Sequence, residues 1–129
     1  MSSVDLSSYR KLYLETAKEY ANSLSRSCMM LSIDPKDKEA IKNMHIASHS
    51  LHSQSAVMGY AKIGFLSSAI EKITKDIIDK NSIIGKELLK AINEAVQSLR
   101  ASILNIEKGN REEDTVVASK KLEEATHKI

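Results

Sequence analysis

Three of the chain's four histidines, His45, His49 and His52, fall within one short stretch of mixed apolar and small residues. A neutral imidazole has one bare ring nitrogen and one N–H, so it can accept a phosphoryl group, pass a proton or ligate a metal ion. Which chemistry is open depends on where the ring points and on what holds its second nitrogen. Ile41, Met44, Ser48, Leu51, Ser55 and Met58 recur every three or four residues, the spacing of one helix face. With Met44 and Leu51 at the centre of that face, His49 lies roughly 120–160° away, toward solvent. His45 and His52 sit at one edge of it, between the core and His49. The second nitrogen needs a partner from another segment. Glu71 is about 100° from Ile70 on a later helical stripe, an edge position from which a carboxylate reaches a neighbouring helix. A carboxylate that accepts one ring N–H fixes the tautomer and makes the other nitrogen more basic.

These side chains require helices to carry them. Tyr9, Leu12, Tyr13, Thr16, Tyr20, Leu24, Cys28 and Leu31 keep helical spacing and predict a first helix beginning near Asp5 or Ser7, either of which could cap it. Ser32-Ile33-Asp34-Pro35 breaks it, and Asp34 as N-cap with Pro35 at the first helical position predicts a second helix from about Pro35 to Val57. Gly59, with no Cβ, marks a tight connection or a kink and permits close backbone approach. A third helix is expected near Tyr60–Asp79, with Ile63, Leu66, Ile70, Ile73 and Ile77 inward. Lys80-Asn81-Ser82 reads as a turn, with Ser82 a candidate cap. A fourth helix is expected near Ile83–Lys108, burying Ile84, Leu88, Ile92, Ala95, Leu99, Ile103 and Ile106, and Gly109-Asn110 is its stop. From Arg111 to Ile129 a weaker stripe of Val116, Val117, Leu122 and Ala125 predicts a short fifth helix on the outside. The expected fold is all-α: one domain over residues 1–129, an antiparallel up-down four-helix bundle with an additional C-terminal helix.

The run Ser48-His49 to Gly59-Tyr60 resembles the phospho-accepting segment of histidine phosphotransfer (HPt) domains, above all the amino-terminal phosphotransfer domain of chemotaxis histidine kinases. The pattern there is a histidine, two residues, a lysine, two small residues, and then a glycine followed by an aromatic. His49 matches the histidine, Ser53 and Ser55 fall in the small-residue region, and Gly59-Tyr60 matches the final pair. The chemotaxis version also has a glutamate on the next helix, 22 residues after the histidine, which is where Glu71 stands. His52 holds the lysine's place and is a departure. The resemblance covers the whole chain loosely, through helix lengths and the position of His49 on the second helix.

It implies that His49 accepts a phosphoryl group through Nε2 and that Glu71 orients its ring through Nδ1–H. His52 assists; it can donate a hydrogen bond, but near pH 7 it is charged only part of the time, so transfer should be slower or more pH-dependent than with lysine. Lys62 and Lys75 are candidates to compensate. The implied partners are a histidine kinase catalytic domain, which delivers the group from ATP, and a response-regulator receiver domain, whose aspartate removes it. They would dock on the exposed strip of the second helix at His45, Ser53 and Ala56 and at Gly59, where small side chains leave room for a partner's loops.

No glycine-rich phosphate loop and no Asp/Asn metal constellation occurs in the sequence, so the chain by itself is not expected to make phosphohistidine from ATP, and no cofactor is expected. It reads as the phospho-accepting domain of a histidine kinase or as a free-standing carrier. The end, Thr126-His127-Lys128-Ile129, stops mid-pattern, as a segment of a larger protein would.

Two other readings follow from the same residues. His45, His49 and His52 fall within about 60° of one helix face, and an i, i+4 histidine pair with Glu71 could make an open zinc site. Three ligands from one helix, however, converge poorly on a tetrahedral ion. A non-catalytic helical adaptor is the remaining reading, in which the histidines are ordinary surface residues.

Composition narrows the field. One proline, four glycines and one phenylalanine in 129 residues suit helices rather than sheets. Nineteen basic and 17 acidic residues intermix to a net charge of +2, which gives no footprint for nucleic acid. Cys28, the one cysteine, lies on an apolar stripe and reads as a small core residue rather than half of a disulfide or a reactive thiol. No apolar run approaches the ~18 residues of a membrane span, and Met1-Ser2-Ser3-Val4-Asp5 lacks the basic start of a signal peptide. A cytoplasmic protein is expected, monomeric as an isolated domain because its outer faces are charged.

Overall fold

A computed structural model describes residues 6–109 and 115–127. They form five helices and, among the described residues, no strand: α1 Leu6–Ile33, α2 Lys38–Met58, α3 Ala61–Asp79, α4 Lys86–Glu107 and α5 Val116–His127. Helix α2 packs on both α1 and α3, α4 packs on α1 and α3, and α5 lies against α4 and α3. Leu24 and Leu31 of α1, Met44 and Leu51 of α2, Ile63, Leu66 and Ile70 of α3, and Ile92, Leu99, Ile103 and Ile106 of α4 are fully buried in one shared core. No described helix is long and apolar enough to cross a membrane.

The inward faces of α2, α3 and α4 follow the spacing, with Ile73 only partly buried and Thr74 fully so. Two faces differ. Tyr9 and Leu12 are exposed, and the buried face of α1 instead runs Tyr13, Leu14, Ala17, Ala21, Leu24, Cys28 and Leu31. Ala17 and Ala21 carry a weak hydrophobic signal yet are buried, so the first half of the face lies one residue away from the bulkier stripe. In α5, Val116 and Val117 are exposed, while Ala118, Leu122 and Ala125, spaced four and three apart, meet the other helices. Cys28 is buried as expected, and burial pushes its thiol up to about 11, the environment of a core residue and not of a nucleophile.

The boundaries also depart from the sequence reading. Asp34 does not cap α2. The amide of Asp37 donates to the Asp34 carbonyl at 3.1 Å, and the Asp34 side chain accepts from the Lys36 amide at 3.0 Å. Asp and Pro are favoured at the first two positions of such a turn, so the same residue types that mark a helix start serve the turn from α1. Asp37 is the N-cap, its Oδ1 accepting the Ala40 N–H at 3.0 Å. Helix α4 begins after Gly85, not after Ser82. Asn81, at φ 50, ends α3, with the Ser82 N–H donating to the Ile77 carbonyl at 3.0 Å. Ser7 lies inside α1 and so does not cap it; Asp5 and Asn110 lie outside the described residues.

Candidate functional site

Helices α2 and α3 are joined through Gly59 and Tyr60. Gly59 is left-handed at φ 82, and the Tyr60 N–H returns to the Ser55 carbonyl at 2.9 Å, closing α2 sharply. Tyr60 then stacks on Tyr13 of α1, centroids 5.1 Å apart, and the Tyr13 hydroxyl meets Ser55 Oγ at 2.7 Å. The connection is therefore tight rather than a kink. Along the pair, Gly64 of α3 faces the α2 backbone: a Cβ there would lie 3.7 Å from the Ala56 nitrogen and 3.8 Å from the His52 carbonyl oxygen. This close approach brings residues 45, 49 and 52 opposite residues 64–74.

Glu71 sits at the centre of what results. His49 donates Nδ1–H to Glu71 Oε2 at 2.7 Å, and His52 donates Nδ1–H to Glu71 Oε1 at 2.8 Å. His45 also turns to α3, its Nδ1 lying 3.2 Å from the Glu71 carbonyl oxygen and 2.9 Å from Thr74 Oγ1. A carbonyl can only accept, so His45 carries its proton on Nδ1. The Thr74 hydroxyl is free to accept because its own hydrogen is directed to the backbone carbonyls of Ile70 and Glu71, at 3.0 and 2.9 Å. In each ring, when neutral, the bare nitrogen is then Nε2. None of these Nε2 atoms has a hydrogen-bond partner among the described residues.

The side chains differ in access. His49 is 61% exposed, His52 41% and Glu71 22%. Burial pushes the Glu71 carboxyl up, but the hydrogen bonds from His49 and His52, with the charge each ring carries when protonated, outweigh it and hold the group below its ordinary value. Glu71 is thus an anion shared by two imidazoles.

Of the expected surface strip, Ser53, Ala56 and Gly59 are exposed. His45 is half-buried and braced against α3. Lys62 is exposed, and Lys75 pairs with Asp79 at 2.7 Å rather than turning to the histidines. Among the described residues no group of three or more His, Cys, Asp or Glu side chains is placed to hold a metal ion. The zinc reading also asks for ring nitrogens that converge, whereas here the nitrogens facing α3 are already bonded to Glu71 and Thr74.

Thr74 is the residue that sequence reasoning missed. Its signal was a hydroxyl at a fully buried position in step with Ile63, Leu66, Ile70 and Ile77. A buried polar group needs partners: the backbone of α3 takes the hydroxyl hydrogen, and its oxygen accepts from His45.

No family model matches the chain, and no solved structure matches it. Curated relatives do. The chain is 24% identical over 121 residues to the chemotaxis protein CheA of Bacillus subtilis, covering 93% of this chain and 18% of that protein. It is 21% identical over 100 residues to CheA of Listeria monocytogenes, covering 78% of this chain and 16% of the relative. The match to CheA of Halobacterium salinarum is 21% over 99 residues, 77% of this chain and 15% of that protein. The chain is therefore CheA-like over most of its length, and it spans less than a fifth of the length of the relatives it matches.

Proposed function

We propose that this chain is a histidine phosphotransfer domain of the chemotaxis-kinase type: a single-domain, up-down four-helix bundle with an appended C-terminal helix, in which His49 is the phosphoryl acceptor. The observation that carries this reading is the hydrogen bond from His49 Nδ1 to Glu71 at 2.7 Å on a ring that is mostly exposed. It leaves Nε2 bare and available to a donor. As Nε2 attacks phosphorus the ring becomes cationic, and the carboxylate bonded to Nδ1–H stabilises that charge. His52 acts as a positioning residue by holding the other oxygen of Glu71. The similarity to CheA proteins over most of the chain supports the same assignment.

The donor is ATP held by a histidine kinase catalytic domain, and the recipient is a receiver-domain aspartate. Both dock on the exposed part of α2 around His49, Ser53, Ala56 and the Gly59 turn, where small side chains admit a partner's loops; His45 contributes its edge. Phosphoryl transfer depends mainly on positioning and charge, and a rigid helix supplies the first.

The test is labelling by a chemotaxis-type kinase core with labelled ATP. The expected product is acid-labile and alkali-stable, drops at least about tenfold in His49→Gln as expected when the attacking nitrogen is lost, and chases onto a receiver domain. Equal labelling of the parent chain and His49→Gln would place the group on another residue, and no labelling of either would leave the adaptor reading in its place.

A further inference from the structure

The geometry points to His52 as a second phosphoryl acceptor, alternative to His49 and served by the same carboxylate. The inference rests on the phosphotransfer reading of this site and extends it. Every feature that qualifies His49 recurs at His52. Its Nδ1–H is bonded to Glu71, on Oε1 at 2.8 Å against Oε2 at 2.7 Å for His49. Its Nε2 has no hydrogen-bond partner among the described residues, and the side chain is 41% exposed. Each carboxylate oxygen accepts one ring, so neither imidazole displaces the other from Glu71. His45 is the built-in contrast. Its Nδ1 faces only a carbonyl and a hydroxyl, neutral groups that cannot balance a cationic phospho-imidazole.

The step balances at either ring. The Nε2 lone pair attacks phosphorus and an N–P bond forms as the donor's bond to phosphorus breaks. With phosphoramidate the bond broken is P–N, and its protonated amine leaves as ammonia. The proton on Nδ1 stays between the ring and Glu71. The two acceptors exclude each other. Residues three apart on a helix have Cβ atoms about 5–6 Å apart, so a second phosphoryl dianion would meet the first, and one carboxylate would face two cationic rings. The chain therefore takes one phosphoryl group at either of two positions, and exchange between them needs no change of fold. A docked kinase selects the more exposed His49, whereas a small donor has no such geometry and reads the chemistry of each ring.

The experiment is reaction of the whole chain with phosphoramidate, followed by intact mass and by fragmentation that locates the group. It compares the parent, His49→Gln, His52→Gln, the His49→Gln/His52→Gln double variant and N-acetylhistidine, with circular dichroism to show that each variant is folded. His49→Gln and His52→Gln should each take one phosphoryl group, at rates within about tenfold of one another and faster than N-acetylhistidine, as equal hydrogen-bond partners require. The double variant should fall to the N-acetylhistidine rate, and in the parent His49 and His52 together should carry one group. If His49→Gln reacts no faster than the double variant while His52→Gln keeps the parent rate, the second acceptor is refuted and His49 stands. If neither single variant exceeds N-acetylhistidine, the phosphotransfer reading falls with it. A parent molecule carrying groups on both His49 and His52 would overturn the mutual exclusion.

Discussion

A surface imidazole in water exchanges freely between tautomers, and either nitrogen can carry the proton. Glu71 removes that freedom twice over, because each of its oxygens takes one Nδ1–H. Replacing it with glutamine keeps the shape and removes the charge. Glu71→Gln should slow kinase-driven labelling of His49 by about 10–100-fold, the range seen when a carboxylate behind a functional histidine is lost; initial labelling rates measure this. The pH dependence has a definite sign. The folded carboxyl lies below its ordinary value near 4.5. The contribution of the contact to stability is then complete above that ordinary value and is lost as pH falls through the lowered one. A titration of the Glu71 carboxyl carbon by NMR should show a midpoint below 4.5 in the parent and a higher one in the His49→Gln/His52→Gln variant. The pairing of His49 with Glu71 was expected from the family resemblance, which has a glutamate 22 residues after the histidine, and from the edge position of Glu71, which lets it reach a neighbouring helix. The sharing of Glu71 with His52 was not, since periodicity gives the face of a ring and not its rotamer.

At the scale of the helices, the site depends on how closely α2 and α3 lie. Two glycines act there in opposite ways. Gly59 has open space around it but a φ of 82, so Gly59→Ala should cost about 1–2 kcal/mol through backbone strain alone. Gly64 is helical, and its added Cβ would make contacts at 3.7–3.8 Å, an ordinary van der Waals distance. Gly64→Ala should therefore raise stability by about 0.5–1 kcal/mol, the helix propensity difference. Urea unfolding of the two variants checks both signs. Helix existence was legible because apolar spacing persists over many turns. Helix ends were less so, because Asp-Pro suits a reverse turn as well as a cap, and Asp34 and Asp37 compete for the same role within one turn of chain.

For the whole molecule, the histidine cluster stands on a core to which all five helices contribute, yet among the described residues α5 packs on α3 and α4 and not on α1 or α2. Leu122 is buried there, so Leu122→Ala should destabilise by about 2–5 kcal/mol. Below the lowered melting point, labelling at His49 should be unchanged, and thermal unfolding with labelling at low temperature separates the two effects. The inward faces of α3 and α4 could be read directly because isoleucine and leucine dominate them. Those of α1 and α5 could be read only in part: Tyr13, Leu24, Cys28, Leu31, Leu122 and Ala125 are buried as expected, whereas Ala17, Ala21 and Ala118 carry little signal against exposed Tyr9, Leu12, Val116 and Val117.

The stacked pair of Tyr13 and Tyr60 pins the turn at Gly59 to the first helix. The chain has no tryptophan and four tyrosines, two of them in this pair, so coupled rings at this corner contribute to its near-ultraviolet spectrum. An intrinsic optical gauge thus sits beside the histidines, and a visitor that settles on the Gly59 end can be followed in unlabelled protein by ellipticity alone.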